Sequence, residues 1–230
     1  MLKFFLLFIL LFPLDFLSSD ANEPSTSLSL SVDEPTPAER LFDEMQLKDV
    51  VNFAAFRQAI NGYYKISEKH KPIMTLIDFS KPSTEKRLFV FDMQKKELLY
   101  SSVVSHGKNS GDNYATSFSN EYGSYKSSLG FYLTGKTYQG RNGYSMILDG
   151  LEKGINDKAK ERAIVVHGAS YANPSTATSG RLGRSLGCPA LPKILTKPII
   201  NTIKDGSVLF IYANDPDYLT QSSIISHLTS

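Results

Sequence analysis

The sequence predicts a mainly β protein of the α+β kind. Seven short runs rich in β-branched, aromatic and aliphatic residues lie between positions 73 and 212. Polar breaks separate them, and Gln94-Lys95-Lys96 reads as the turn of a hairpin. Helical periodicity is confined to two windows, residues 36–66 and 193–204.

Taken in order, residues 1–21 read as an export signal. Lys3 opens it, Phe4 to Phe12 form a short apolar stretch, and Ser19-Asp20-Ala21 offers a small–x–small cleavage site. No other stretch approaches a membrane span. Residues 22–35, polar and Ser-rich, read as a flexible tether. Residues 36–68 read as a helical extension. Thr36-Pro37-Ala38-Glu39 is a capping box with proline at the first helical position, and Leu41, Phe42 and Met45 make one apolar stripe. A second helix is expected over Asp49–Ile66, with Phe53, Phe56, Ile60 and Tyr63 as its packing face.

The main domain is expected over 69–230. Its strands are Ile73–Phe79, Leu88–Met93, Leu98–Val104, Leu129–Thr134, Ser145–Leu148, Ala163–Val166 and Ser207–Tyr212. The Ser/Gly/Asn-rich stretch 105–128 reads as a long loop, mobile or lining a cleft. A short helix is expected at 157–161, capped by Asn156-Asp157. A C-terminal-side helix ends at Asp205-Gly206 and is expected to begin at Pro198, because proline suits a first helical turn.

Hydrophobic content of 41% and charged content of 21% are ordinary for a globular chain. A net charge of +2 gives no electrostatic case for nucleic-acid binding. The single cysteine excludes an intramolecular disulfide. In an exported, oxidising setting a leftover thiol asks for a reason, and catalysis is one.

That cysteine, Cys188, lies between Gly187 and Pro189, and His167 ends the apolar run Ala163–Val166. A thiol near its usual pKa of about 8.5 is only slightly ionised at neutral pH, so a neighbouring imidazole that takes its proton creates the nucleophile. An attacked carbonyl then needs hydrogen-bond donors; the N–H groups of Gly187 and Cys188 are the natural oxyanion hole. The competing reading is structural: a lone cysteine is often a small buried hydrophobe, and a strand-end histidine is often a packing residue. His106, followed by glycine as His167 is, competes for the base. A zinc site from His106, His167 and Cys188 matches no ligand spacing, so no metal is expected.

The pattern His167-Gly168-Ala169 followed by Ser185-Leu186-Gly187-Cys188-Pro189-Ala190 resembles the L,D-transpeptidase catalytic domain of bacterial cell-wall enzymes, in its murein S-x-G-C-P-A branch. The resemblance runs from about Ile73 to Tyr212. It implies an L,D-transpeptidase-like β-sandwich or barrel, carrying the short N-terminal helices and the helix on its C-terminal side, and a protein of the periplasm or cell wall. It also implies acyl transfer on peptidoglycan stem peptides through a Cys188 thioester, with no cofactor. His167 would be the base, oriented by the Gly168 carbonyl, and Ser185 would position the loop. By the same resemblance, His106 and Ser128 fall in substrate-facing segments. Many members carry arginine two residues after the cysteine; here that residue is Ala190, and Arg181 or Arg184 is the candidate replacement for a substrate carboxylate. A carboxypeptidase or endopeptidase on the same site, or a non-catalytic wall-binding protein, remains open at this point. Oligomeric state is unread.

Overall fold

The computed structural model describes residues 34–225, which hold four α-helices and eight strands. The expected export signal and residues 22–33 of the tether lie outside the described residues. No described helix is long and apolar enough to cross a membrane.

α1 (Pro37–Glu44) starts as its sequence demands: Thr36 N–H donates to Glu39 at 2.7 Å, and Glu39 N–H to the Thr36 hydroxyl at 3.3 Å. α2 (Phe53–Lys65) begins four residues later than expected. The Asn52 carboxamide caps Ala54 N–H at 2.9 Å, and Asp49 is held at a φ of 65°. Phe42, Phe56 and Phe91 meet edge to face and join this helical layer to the sheet. Gly62 lets α2 come down onto the sheet, since a Cβ there would sit 2.0 Å from the Phe131 ring.

The strands are β1 (Ile73–Asp78), β2 (Leu88–Asp92), β3 (Glu97–Ser102), β4 (Gly130–Gly140), β5 (Gly143–Gly150), β6 (Val165–Ala169), β7 (Ala190–Pro192) and β8 (Val208–Tyr212). They form one mostly antiparallel sheet in the order β3-β2-β1-β8-β4-β5-β6-β7, with β1–β8 and β6–β7 parallel. β1 and β8 are buried along their whole length; β8 is an unbroken apolar run, and β1 also buries Thr75 and Asp78. The expected β2–β3 turn forms at Gln94-Lys95-Lys96, where the Asp92 carboxylate accepts from the Gln94 and Lys95 N–H groups.

Several expectations differ from the fold. β4 and β5 extend into a long hairpin whose two-residue loop is Arg141-Asn142; its outer half is exposed and polar, so no apolar pattern announces it. Residues 157–161 form turns, not a helix. α3 (Lys193–Ile203) contains Pro198 rather than starting there. The carbonyl that loses its donor belongs to Ile194, on an outward-facing residue of the first turn where water can replace the bond. α4 (Pro216–Gln221), capped by Asp215, is a further short helix on the C-terminal side.

Candidate active site

Two segments build the site. β6 carries His167, and its partner β7 follows directly from the turn that carries Cys188. His167 pairs with Ala190 across the two strands, and the His167 N–H donates to the Pro189 carbonyl at 3.4 Å. The turn itself is closed by Ser185. Its hydroxyl donates to the Cys188 carbonyl at 2.6 Å and accepts from Gly187 N–H at 3.1 Å. Gly187 has a φ of 126°, a conformation that side-chain-bearing residues rarely adopt.

The stretch 105–128 is partly scaffold and partly cavity wall: Tyr122, Gly123 and Tyr125 line a cavity of about 170 Å³ with Arg162, Ile164 and Leu186, while its two ends pack inside. Ser105, His106, Ser110 and Ser127 are fully buried. Ser105 exchanges backbone bonds with Ala190, the His106 carbonyl accepts from Ser185 N–H, and Lys108 N–H donates to the Ser185 carbonyl. The Ser127 hydroxyl donates to the Gly187 carbonyl at 3.0 Å and accepts from Gly107 N–H. A Cβ on Gly107 would lie 3.0 Å from the Gly187 Cα and 2.5 Å from the Tyr125 carbonyl, so the approach requires glycine. Small hydroxyls satisfy buried backbone groups here that regular strands would otherwise pair.

The Cys188 sulfur is partly buried and rests against the start of β6. Val165 N–H donates to it at 3.5 Å, and it faces the Ala163 carbonyl at 3.7 Å. Burial pushes the thiol pKa up; the Val165 N–H and the nearby Arg162 pull the other way. His167 is 4% exposed. Its Nδ1 sits 3.1 Å from the Gly168 carbonyl, which fixes Nδ1 as the protonated nitrogen. Nε2 has no protein partner among the described residues and is not sealed from solvent. Burial lowers the His167 pKa, and the Gly168 bond offsets part of that. Both shifts favour the uncharged forms, and among the described residues the sulfur bonds Val165 and Ala163 rather than the His167 ring. Cavities open on the segments that carry the two residues. One of about 450 Å³ is lined by Tyr138, Ile147, Ala163 and Val165, on the side of the sulfur. Another of about 540 Å³ is lined by His167, Gly168 and Tyr171 among others.

Of the four expected substrate contacts, His106 and Ser128 are sealed inside, and Arg181 and Arg184 already hold an acidic partner. His106 is 0% exposed, packs edge-on to Phe79 and bonds Arg87 through Nδ1 at 2.8 Å, so no substrate reaches it. Ser128 is buried, donating to the Ser119 carbonyl and accepting from Arg162. Arg181 pairs with Asp112 at 2.6 Å. Arg184 lies 3.5 Å from the same carboxylate and bonds the Lys108 and Gly111 carbonyls, so both arginines brace the 105–128 stretch. The Gly187 N–H, expected in the oxyanion hole, is taken by Ser185, whereas the Cys188 N–H has no acceptor among the described residues.

Sequence reasoning missed two arginines. Arg87 is wholly buried; it donates to the Val104 and Lys81 carbonyls and to His106, and burial lowers its pKa to about 9. Arg162 bonds the Ser119 and Lys126 carbonyls at 2.7 and 2.6 Å and the Ser124 and Ser128 hydroxyls. Its Nη2 lies 3.5 Å from where a Gly187 Cβ would be, one residue from the thiol. Its only local signal is a cation just before the Ala163–Val166 run. No described group of His, Cys, Asp or Glu could hold a metal ion.

The profile of the family described as L,D-transpeptidase catalytic domain matches residues 47–212. Among solved structures, the chain is similar to L,D-transpeptidases from Mycobacterium smegmatis (13% identity, TM-score 0.38, 62% of this chain and 59% of that one) and Xylanimonas cellulosilytica (13%, 0.36, 62% and 61%). A third is from Stackebrandtia nassauensis (13%, 0.38, 77% and 76%). The chain thus spans about three-fifths of the first two. Likeness at this level carries no residue correspondence. No curated protein matches the sequence.

Proposed function

The chain belongs to the L,D-transpeptidase catalytic-domain family, and from that premise we propose that it performs cysteine-dependent acyl transfer on peptidoglycan stem peptides. The observation that carries this reading is the Ser185–Cys188 turn. It is tied to β6 and β7 so that a partly exposed thiol and a tautomer-fixed imidazole belong to one pair of hydrogen-bonded segments.

In this reading His167 Nε2 takes the thiol proton as the sulfur attacks the carbonyl joining the diamino acid's L-centre to a terminal D-amino acid. A carbon–sulfur bond forms. The Cys188 N–H receives the developing oxyanion. The carbon–nitrogen bond then breaks, and the imidazolium returns its proton to the departing amine. A second stem peptide's amine, deprotonated by His167, attacks the thioester and restores the thiol. Ser185 keeps the turn closed, and the Gly168 carbonyl keeps Nδ1 protonated. Arg162 offers a fixed positive charge beside the sulfur as it becomes negative. The route uses no metal or organic cofactor. The apolar stretch at 4–12 and the wall substrate together support an exported site of action.

Purified protein incubated with disaccharide–tetrapeptide, followed by mass spectrometry of the products, tests the reading. New cross-linked dimers are expected. Shortened monomers alone would make the protein a hydrolase, and unchanged substrate would leave a wall-binding protein.

A further inference from the structure

The arginines expected to meet a substrate carboxylate are paired with Asp112, whereas cations without an ion-pair partner among the described residues stand beside His167. The cavity of about 540 Å³ beside His167 has three cations on its rim: Arg141 in the β4–β5 hairpin loop, and Lys193 and Lys197 on the first turns of α3. Its lining contains no acidic residue, and none of the three cations has an ion-pair partner among the described residues. Elsewhere Lys96, Lys158 and Lys160 each hold a carboxylate. The first turn of α3 has no side-chain cap, and the Thr196 hydroxyl donates to the Pro192 carbonyl instead. Among the described residues, acidic groups thus leave this wall uncompensated.

The chemistry of acyl transfer says what fits there. The departing group is an amino acid whose amine, on accepting a proton from His167, sits one carbon from its carboxylate. An incoming amine retraces that path, so a group that also bears a neighbouring carboxylate meets the same cations. We propose that the cavity between the hairpin loop and α3 is a carboxylate subsite. Arg141, Lys193 and Lys197 would hold the α-carboxylate of the leaving and incoming amino acid while its amine faces His167. This rests on the acyl-transfer reading and sharpens it: the preferred acceptor is an amine with an adjacent carboxylate, not an isolated side-chain amine.

Two probes differing only in that group test it: D-methionine, and 3-(methylthio)propylamine, which lacks the carboxylate. Each is titrated by NMR against Cys188→Ala protein, and each serves as acceptor with a tetrapeptide donor and the intact enzyme. Lys193→Glu with Lys197→Glu is expected to weaken D-methionine about tenfold in both assays, as loss and reversal of exposed charge contacts would. The carboxylate-free amine should change by no more than about twofold, and Arg141→Glu should shift D-methionine in the same direction. Added salt should weaken D-methionine alone, since exposed charges are screened. Equal effects on both probes, or none on D-methionine, would overturn the subsite. If the Cys188 thioester forms yet acceptor choice ignores the cations, only the subsite falls. If no thioester forms, acyl transfer falls, and the NMR titration still decides the subsite.

Discussion

The chain contains two His-Gly pairs, and they are opposites. His106-Gly107 is scaffold: the imidazole is sealed, one nitrogen faces Arg87, and the other has no hydrogen-bond partner among the described residues. Burial and the Arg87 charge drive its pKa down to about 4. His167-Gly168 keeps one nitrogen open, next to a cavity, with the other anchored to a backbone carbonyl. In the proposed reading the same dipeptide thus serves packing at His106 and chemistry at His167, and the surroundings of the second nitrogen set the difference.

The sharpest way to break this contrast is to delete each imidazole. Cys188→Ala should abolish turnover, and His167→Ala should lower it by about 10²–10⁴ with the fold retained. His106→Ala should cost about 1–3 kcal/mol in urea unfolding, because Arg87 loses an acceptor, with activity kept below the midpoint. A catalytic loss from His106→Ala that matches the loss from His167→Ala would erase the distinction. Next in size is Arg87→Ala. It strands the Val104 and Lys81 carbonyls and His106, and should destabilise by about 3–5 kcal/mol.

Acid separates the two by what is measured. The folded His106 pKa is about 4 and its ordinary value 6.5. In acid the unfolded chain therefore binds a proton that the folded one refuses. Stability is full above about pH 6.5 and should fall by about 3 kcal/mol as pH drops toward 4, readable by denaturant titration at several pH values. His167 is also lowered, so the acid limb of kcat/KM should lie below pH 6.5, where the base becomes protonated. An acid limb above 6.5 would contradict the assignment.

The smallest expected effects concern the groups around the sulfur. Arg162→Met should move the pH profile of Cys188 alkylation upward, because a cation that favours the thiolate is gone. Ser128→Ala removes one of the guanidinium's partners but keeps the charge, and should leave that profile in place. Ser185→Ala opens the turn and should cost about 1 kcal/mol per lost bond, with roughly tenfold slower turnover.

The sheet was largely legible because its strands are apolar runs closed by turn residues; β2–β3 and its turn are an example. The hairpin beyond Thr134 was not, because Gly135–Gly140 projects into solvent and carries no period-two apolar pattern. The family was legible from the motif around His167 and Cys188. The support of that motif was not, because it is made by buried serines in a stretch whose composition is that of a loop. Burial of a hydroxyl depends on which backbone groups it meets in three dimensions, as Ser127 meets Gly107 and Gly187. Arg181 and Arg184 misled for the same reason: Asp112, far away in the chain, claims them.

Intact-protein mass spectrometry after brief mixing with a tetrapeptide donor tests the central claim most directly. The account predicts a mass gain equal to the donor less its terminal amino acid. It should map to Cys188, be released by hydroxylamine, and be greatly slowed in His167→Ala. No adduct on Cys188, or an adduct forming equally fast without the imidazole, would contradict it.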